Sequence, residues 1–330
     1  MSDDAAVHAA DVRKTYGETV ALDGVSLAVE RGEVFGLIGP NGAGKTTLVR
    51  ALTGTTAVDG DVAVLGDPPA EVDRAALGLL PQEFSPPDRL TARELLDYYG
   101  GLYDRSRPVD DVLADVGLAA DADTWYERLS GGQRRRVCVG LALVNDPDVL
   151  FLDEPTTGID PAGRRDLWRL LDDLADGGTT VFLTSHSMDE VERLADRVAL
   201  LRDGGIVASG TPAELVAEHG GPARLVVGGE AVESGADPLR DAGFTVDVGV
   251  DELVVEGLDP TRVGDAANAL SDAGVDYDSL TWTEPSLEDV YLRLTGEEFE
   301  GTYTPGATVV EGGRDETPHE AAAGAAEVDE

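Results

Sequence analysis

The sequence predicts an α/β fold in which a mostly parallel sheet is flanked by helices, followed by a small α+β domain at the C-terminal end. The first observation is an apolar run, Val34 to Gly39, which ends at a glycine-rich loop before a segment with helical spacing. The second is the return of short apolar runs at 149–152 and 181–184, with helix-like segments at 161–176 and 187–195. Strands that alternate with helices favour a parallel sheet covered on both faces.

Length, charge and cysteine content exclude several classes of protein. The chain has 330 residues, which suggests two domains, and its net charge of −40 excludes a nucleic-acid binder that uses a basic face. The single cysteine, Cys138, excludes a disulfide within the chain and a cysteine-rich zinc site. No apolar run approaches the roughly 18 residues of a membrane span, and the N-terminus does not resemble a signal peptide. We therefore expect a soluble, cytoplasmic protein.

The first motif with a chemical role follows the first apolar run and has the form G-x-x-x-x-G-K-[ST]. Its glycines let backbone N–H groups point at phosphate oxygens, and the N-terminus of the next helix adds partial positive charge. Lys45 is expected to reach the β- and γ-phosphates, and the Thr46 hydroxyl to bind Mg²⁺. The alternative is an ordinary glycine turn before a helix. The predicted nucleotide-binding residues here are Gly39, Pro40, Asn41, Gly42, Ala43, Gly44, Lys45, Thr46 and Thr47.

The run from Val149 to Glu154 predicts an apolar strand that ends in two acidic residues. A strand of a parallel sheet delivers its last side chains to the carboxyl edge of the sheet, where ligands of such folds bind. Asp153 suits a role beside the metal, and Glu154 suits the role of a base that positions water. The alternative is an acidic turn after a core strand.

A second possible phosphate cradle lies within residues 84–145, which are predicted to be mostly helical. The sequence LSGGQ, from Leu129 to Gln133, precedes one of these helices. A serine side chain and the free N–H groups at a helix start can bind phosphate oxygens. The residues expected to do so are Ser130, Gly131, Gly132 and Gln133.

The helix after this motif begins with three arginines, Arg134 to Arg136. We interpret them as a solvated helix face that balances nearby acids, with a phosphate clamp as the alternative. Cys138, in the apolar register of the same helix, is interpreted as a small buried hydrophobic residue.

LSGGQ between the phosphate-binding loop and the acidic strand resembles the signature of ABC ATPases, and their other motifs are present in order over residues 7–210. The resemblance implies a P-loop NTPase of the ABC type, with ATP and Mg²⁺ as cofactors and residues 84–145 as a helical signature subdomain. It also implies roles for four further residues. Tyr16 would stack on adenine, Gln82 would be the Q-loop residue, Asp160 the D-loop aspartate and His186 the switch histidine.

The same resemblance implies a second ATPase subunit, because in this family two domains pair head to tail around each ATP. Glu154 would polarise the attacking water, while His186 would contact the γ-phosphate and Lys45 would offset its charge. Mg²⁺ would be held by Thr46, Gln82 and Asp153, and the signature residues Ser130 and Gly132 of the second copy would complete the site.

A narrower resemblance covers about residues 1–296. EPSLEDVYLRLTG, together with the TTGIDP form of the D-loop, is similar to the ATP-binding subunits of daunorubicin-resistance-type exporters. It implies a peripheral protein at the inner face of the membrane, with segment 82–104 contacting separate permease subunits. An importer ATPase, or a soluble ABC ATPase acting on ribosomes or DNA, is the alternative. The transported substance is not encoded here, since the permease selects it.

Three regions are predicted along the chain: an ATPase domain over 1–220, an accessory domain over 222–295 and an acidic disordered tail over 296–330. The boundary is set at Gly220, Gly221 and Pro222. The accessory region has the element order βαββαβ of a ferredoxin-like unit, followed by a last helix. Because it contains no catalytic motif, we expect it to act in dimer contact or regulation.

Acidic residues outnumber basic ones 65 to 25, and Lys14 and Lys45 are the only lysines. This composition resembles the proteins of salt-loving archaea, which keep molar salt in the cytoplasm. Arginine retains a weakly hydrated cation that pairs bidentately with carboxylates. We therefore predict a halophilic protein, with an acidic surface that merely serves solubility as the alternative.

Overall fold

The computed structural model describes residues 5–296 and 308–309, which form two compact units. The first unit extends to Gly221 and includes a returning segment that starts at Ser286, and the second spans Pro222–Pro285. The predicted disordered tail, 296–330, lies outside the described residues apart from Gly296 and Thr308–Val309.

The first unit alternates strands and helices after an initial hairpin. Short 3₁₀ turns lie at Arg74–Ala76, Ala119–Asp121 and Tyr126–Arg128, and a π-helical turn lies at Val216–Gly220. The helices and strands are β1 (Ala5–Tyr16), β2 (Thr19–Glu30), β3 (Val34–Ile38), α1 (Lys45–Leu52), β4 (Asp59–Val64), β5 (Leu77–Leu80), α2 (Ala92–Gly100), α3 (Val109–Asp115), α4 (Gly131–Leu143), β6 (Val149–Asp153), α5 (Pro161–Asp176), β7 (Thr180–Ser185), α6 (Met188–Leu194), β8 (Arg197–Arg202), β9 (Gly205–Gly210) and α7 (Pro212–Leu215).

The main sheet has the strand order β5-β6-β7-β3-β8-β9 and is parallel from β5 to β8, with β9 antiparallel at its edge. This confirms the predicted α/β class with a mostly parallel sheet flanked by helices. A second, antiparallel sheet in the order β2-β1-β4 was not predicted. Its strands carry many polar residues, because only one face of an antiparallel sheet needs to be apolar.

The main sheet separates two apolar cores, and the alternation of side chains along each strand assigns residues to one or the other. Val34 and Ile38 of β3 lie in the core on the side of the helical region, whereas Phe35 and Leu37 lie in the core under the antiparallel sheet. Phe35 stacks on Phe182 of the neighbouring strand with ring centroids 5.5 Å apart. Burial on both faces explains why β3, β6 and the middle of β7 consist mainly of apolar residues.

The helical region contains α2, α3 and α4, which matches the helices expected over 84–145. These helices approach closely at Gly140, where an added Cβ atom would lie 3.3 Å from Leu96 Cδ2 and 3.3 Å from Val112 Cγ1. The core is continuous with the helical side of the main sheet. The signature at the start of α4 is therefore carried by a helix that is packed into the first unit.

The second unit is a four-stranded antiparallel sheet with two helices and its own apolar core. Its strand order is β11-β12-β10-β13, which is the order of a ferredoxin-like fold, as the element sequence predicts. A two-residue strand, β14 (Thr308–Val309), pairs with β13. The elements are β10 (Arg224–Gly228), α8 (Ala236–Asp241), β11 (Thr245–Val248), β12 (Glu252–Glu256), α9 (Val263–Asp272) and β13 (Ser279–Thr283), with 3₁₀ turns at Val232–Gly235 and Pro260–Arg262.

The last helix, α10 (Leu287–Thr295), corrects the predicted boundary of the accessory domain, because it belongs to the first unit. Its apolar residues Leu287, Val290 and Tyr291 are buried in the core on the helical side of the main sheet. The Leu287 backbone N–H donates to Glu192 Oε2 at 3.5 Å. The accessory domain is therefore an insertion between Gly221 and Ser286 and not a C-terminal appendage.

Within the part of the chain that the structure describes, no helix has the length and apolar character needed to cross a membrane.

Candidate functional site

The predicted phosphate-binding loop lies between β3 and α1, and glycine is required by backbone conformation at Gly42 and Gly44 and by close backbone approaches at Gly39 and Gly44. Gly42 and Gly44 have positive φ angles of 84° and 111°. An added Cβ atom would lie 2.3 Å from the Ala21 carbonyl oxygen at Gly44, and 2.4 Å from that of Leu201 at Gly39. Any larger residue would displace the loop from the strands that support it.

Lys45 lies at the start of α1 and is buried beneath this loop. Its Nζ atom donates to the Gly39 carbonyl oxygen at 2.6 Å and to that of Pro40 at 3.2 Å. Burial lowers the pKa of Lys45, while the nearby carboxylates of Glu154 and Asp153 raise it. The ammonium group is thus held at the loop without an ion-pair partner within bonding distance among the described residues, ready to face an anion.

A cavity of about 190 Å³ opens at the loop. It brings together seven of the predicted loop residues, Lys45 included, with two further predicted catalytic residues, Gln82 after β5 and Glu154 after β6. The residues that line it are Thr19, Val20, Ala21, Pro40, Asn41, Gly42, Gly44, Lys45, Thr46, Thr47, Gln82 and Glu154.

The predicted Q-loop residue, Gln82, and the predicted switch residue, His186, converge on the carboxylate of the predicted base, Glu154. Gln82 Nε2 donates to Glu154 Oε2 at 3.3 Å, and His186 Nδ1 lies 3.4 Å from the same oxygen. Thr157 Oγ1, which was not predicted, donates to it at 3.4 Å. The convergence follows from topology, since β5, β6 and β7 are adjacent parallel strands whose carboxyl ends share one edge.

Thr184 orients both acidic residues, and sequence analysis did not identify it. Its hydroxyl donates to Asp153 Oδ1, and the Glu154 backbone N–H donates to Thr184 Oγ1 and to its carbonyl oxygen at 3.1 Å each. Glu154 itself has a positive φ of 52°, which turns the chain sharply at the end of β6. The available signal was register, because Thr184 pairs with Asp153 across β6 and β7.

The donors expected to bind Mg²⁺ are a hydroxyl, an amide oxygen and a carboxylate, a hard-oxygen set that suits this ion. Thr46 and Gln82 line the cavity, and the Asp153 carboxylate is buried at the end of the neighbouring strand. The described residues contain no cluster of three or more His, Cys, Asp or Glu side chains that could hold a metal ion. The proposed set has a single carboxylate and so leaves coordination positions for phosphate oxygens and water.

The signature residues do not line the cavity of their own chain. Ser130 caps α4: its Oγ accepts from the Gln133 backbone N–H at 3.2 Å, and Gln133 Oε1 accepts from the Ser130 N–H at 2.9 Å. Gln133 Nε2 also donates to Asp121 Oδ2 at 2.9 Å. Ser130 and Gly131 are exposed, so the helix N-terminus is open to a partner.

Two other predicted residues occupy positions at the ends of elements. Asp160 caps α5 by accepting from the Ala162 and Gly163 backbone N–H groups at 3.0 Å each, and these bonds lower its pKa. Tyr16 lies at the end of β1 and is 46% exposed, with Lys14 Nζ 5.1 Å from the centroid of its ring.

The interpretation of the three arginines as a solvated face was wrong. Arg134, Arg135 and Arg136 are only partly exposed, and each guanidinium donates to backbone carbonyl oxygens of loops packed against α4. Carbonyl groups at the ends of helices and strands have spare acceptor capacity, and each guanidinium group satisfies several of them at once. Cys138 is buried as predicted, beside the Tyr126 hydroxyl, and burial raises the pKa of its thiol.

Comparison with known proteins agrees with this geometry. Residues 22–157 match the family described as ABC transporter. Over 307 residues the chain is 39% identical to a daunorubicin resistance ATP-binding protein of Streptomyces coeruleorubidus, covering 89% of this chain and 97% of the relative. Over 304 residues it is 38% identical to Nod factor export ATP-binding protein I of Rhizobium sp. (strain N33), covering 89% and 98%.

Among solved structures, a dimeric ATP-binding cassette in a post-hydrolysis state with ADP and Pi superimposes with a TM-score of 0.57 at 26% identity, covering 62% of this chain and 98% of the other. The match to the family covers three features of the candidate site. These are the phosphate-binding loop, the acidic end of β6 and the signature. The chain belongs to the ABC transporter family and is an ATP-binding, ATP-hydrolysing subunit of the exporter type.

Proposed function

We propose that two copies of this chain form a head-to-tail dimer that hydrolyses ATP with Mg²⁺ and drives export through separate permease subunits at the cytoplasmic face of the membrane. The observation that carries the hydrolytic role is the convergence of Gln82 and His186 on the Glu154 carboxylate, beside the cavity at the phosphate-binding loop. A carboxylate in that position can accept a proton from water as the water attacks the γ-phosphate.

Each residue of the site has a distinct task in this proposal. The loop N–H groups and Lys45 bind the phosphate oxygens and offset their charge. His186 contacts the γ-phosphate and helps hold the Glu154 carboxylate, which takes the proton from water. Thr46, Gln82 and Asp153 would hold Mg²⁺, whose positive charge stabilises the charge that develops on the phosphate oxygens. Thr184 orients the two acidic residues, Asp153 and Glu154, through hydrogen bonds.

The dimer is supported by what one chain lacks at its own cavity. Ser130 and Gly131 of the signature are exposed, Gly132 is partly exposed, and none of the three lines that cavity, so in this proposal a second copy supplies them. A solved relative with this fold is a dimer. Closed two-fold pairing lets both chains give and receive the same groups.

Export is supported by the two relatives named above, whose names refer to daunorubicin resistance and to Nod factor export. The segment 82–104, predicted to contact the permease, carries two exposed large apolar side chains, Tyr98 and Leu102, which are 58% and 64% exposed. A groove of about 250 Å³ beside them is lined in part by Phe84, Tyr99 and Tyr103. An apolar surface next to the Q-loop suits a helix of a membrane partner.

The composition supports a halophilic protein. With 65 acidic and 25 basic residues, the surface charges repel one another unless salt screens them. Arg93 forms an ion pair with Asp110 at 2.6 Å on the exposed surface, which shows one of the few basic residues offsetting the acidic surface charge.

The transport role can be tested by affinity purification. The tagged chain is purified from membranes of the cells that produce it naturally, and the membrane protein that binds it is identified. We expect a polytopic protein in the parent sample and its loss in Tyr98→Ala/Leu102→Ala, with ATP hydrolysis by the purified variant unchanged. Val250→Ala, at an exposed apolar residue of the second unit, is the control. If the Tyr98→Ala/Leu102→Ala variant and the Val250→Ala control recover equal amounts of membrane protein, segment 82–104 does not form the interface. Finding a ribosomal or DNA-bound partner instead would contradict export.

A further inference from the structure

The guanidinium group of Arg135, on the signature helix α4, bonds to the main chain of the catalytic loops. All three of its nitrogens donate to backbone carbonyl oxygens. Nη2 donates to Asp153 at 2.6 Å and to Glu154 at 2.8 Å, Nε donates to Pro155 at 3.2 Å, and Nη1 donates to Pro81 and Gln82 at 3.4 Å each. One side chain therefore contacts the loops that carry both the base and the Q-loop residue.

These carbonyl groups lie at or after the ends of β5 and β6, and that of Glu154 also accepts from the Thr157 backbone N–H at 3.4 Å. The chain leaves the sheet after Asp153, the last residue of β6, and turns at Glu154 with a φ of 52°. In such a turn the ladder of the sheet no longer satisfies the main-chain oxygens. A guanidinium is always charged and presents its donors in a fixed plane, so its bonds are stronger and more directional than those of a neutral side chain.

Burial and the neighbouring negative charges both affect the Arg135 guanidinium. Burial lowers its pKa, and the negative charges of Asp153 and Glu154 are among the groups that raise it. A half-buried cation beside two acidic residues donates here to their main-chain oxygens, which leaves the carboxylates available for metal and water. Breaking these bonds would free the turn that aims the Glu154 carboxylate.

The neighbouring arginines provide an internal comparison. Arg134 donates to carbonyl oxygens at Tyr126, Glu127 and Leu129, just before the signature. Arg136 donates to Val116 at 3.2 Å and Gly117 at 3.0 Å, within the helical region. Of the three, Arg135 alone bonds to the loops at the ends of β5 and β6.

We propose that Arg135 is a positioning residue for ATP hydrolysis, which holds the main chain at Glu154 and Gln82 from the signature helix. This inference rests on the proposed role of Glu154. In the proposed dimer, the N-terminus of the same helix contacts the ATP held by the second copy. In the proposed dimer, Arg135 therefore links helix α4, which contacts the ATP held by the second copy, to Glu154, which acts on the ATP held by its own chain.

The first test compares Arg135→Gln and Arg135→Lys with the matched control Arg136→Gln, using the full chain. Loss of the turn geometry should lower kcat for Arg135→Gln on the order of 10- to 100-fold, because small displacements of a catalytic group have large effects on rate. The ATP dissociation constant should stay within about twofold, since the Arg135 bonds do not reach the phosphate-binding loop. Arg135→Lys should recover part of the rate, because one ammonium can reach the Asp153 and Glu154 oxygens.

An equal loss of kcat in Arg135→Gln and Arg136→Gln would overturn the proposal, as would a loss that appears in nucleotide affinity instead of kcat. If Arg135→Gln does not fold, Arg135→Lys keeps the test open: a rate equal to the parent's would then show that the three-sided contact is not needed.

A mixed dimer identifies the site on which Arg135 acts. Pairing a Lys45→Ala chain with a Ser130→Arg chain leaves one working site, in which the second chain supplies Glu154 and the first supplies the signature. Arg135→Gln should lower the remaining activity by the same factor, about 10- to 100-fold, when it is placed in the chain that supplies Glu154, and should have little effect in the other. The opposite pattern would assign Arg135 to the signature and refute its link to Glu154. Absence of activity in the mixed dimer with Arg135 intact would instead count against the shared site, while the homodimer measurements would still decide the role of Arg135.

Discussion

Replacement of Glu154 by glutamine removes the carboxylate that is expected to take a proton from water while retaining the shape of the side chain. In the structure this carboxylate is buried and is contacted through one oxygen, by Gln82 at 3.3 Å, His186 at 3.4 Å and Thr157 at 3.4 Å. All three contacts are long, and a glutamine amide oxygen can still accept one of them. The fold around the base should therefore survive the change.

The size of the effect separates a catalytic role from a structural one. A positioned general base contributes about 10²- to 10⁴-fold to a rate, which corresponds to about 3–5 kcal/mol in the barrier. The hydrogen bonds that are weakened contribute only about 0.5–1.5 kcal/mol each to stability, and one can be kept. We thus expect kcat to fall by at least about 100-fold while the free energy of unfolding falls by no more than about 3 kcal/mol.

Nucleotide affinity should stay the same or increase. The Glu154 carboxylate lies near Lys45, and its charge opposes that of the incoming triphosphate. Once this negative charge is removed, Lys45 interacts with the phosphates without competition from the Glu154 carboxylate. ATP should then accumulate uncleaved and stabilise the dimer.

The assay is phosphate release at saturating ATP and Mg²⁺, with ATP binding and light scattering measured on the same samples. Glu71→Gln, at an exposed site away from the cavity, controls for the loss of one negative charge. A turnover within about threefold of the parent would refute the assignment of Glu154 as the base. A fall in turnover that is matched by a loss of ATP binding would show that the residue maintains the site and does not act in the chemical step.

Three further outcomes are expected. Lys45→Ala and Ser130→Arg chains should each be inactive alone, and a random mixture should recover up to about a quarter of the parent rate, measured by phosphate release; hydrolysis by a strictly monomeric parent would contradict the shared site. Tyr291→Ala should lower the free energy of unfolding by about 3 kcal/mol in denaturant titrations, because it leaves a cavity under α10; Leu294→Ala, at a partly exposed position of the same helix, should change it far less. A chain that ends at Thr295 should melt at higher temperature as KCl rises from 0.1 M, where the screening length is about 10 Å, to 1 M, where it is about 3 Å; equal melting temperatures would refute the halophilic interpretation.

The position of α10 changes the expectation for truncated chains. Ending the chain near Gly220, the boundary that composition suggests, preserves every nucleotide-binding motif but removes Leu287, Val290 and Tyr291 from the core of the first unit. Replacing residues 222–285 with a short flexible linker retains these contacts. Thermal denaturation of the two shortened chains should show the second to be more stable, and the reverse order would contradict the assignment of α10 to the first unit.

The proposed nucleotide site could be predicted from the sequence because the chemistry there restricts residue type at fixed spacing. Only glycine tolerates the backbone of the loop at Gly44, and the apolar strand before Asp153 and Glu154 dictates which edge of the sheet those acids reach. Periodicity likewise gave the parallel sheet and the order of strands and helices in the accessory domain. These features depend on neighbours along the chain, so they can be read from short segments.

The tertiary structure alone decided which distant groups meet. Arg135 was placed on a solvated face because arginine is usually exposed, yet its partners are carbonyl groups up to 54 residues away, which no side-chain pattern marks. Thr184 was passed over because an isolated threonine in an apolar strand has no distinguishing signal until β6 and β7 are aligned. The apolar face of helix α10 is visible in the sequence. The sequence does not indicate which surface covers that face. Backbone partners and docking surfaces are shared by all residue types, so only the folded chain selects them.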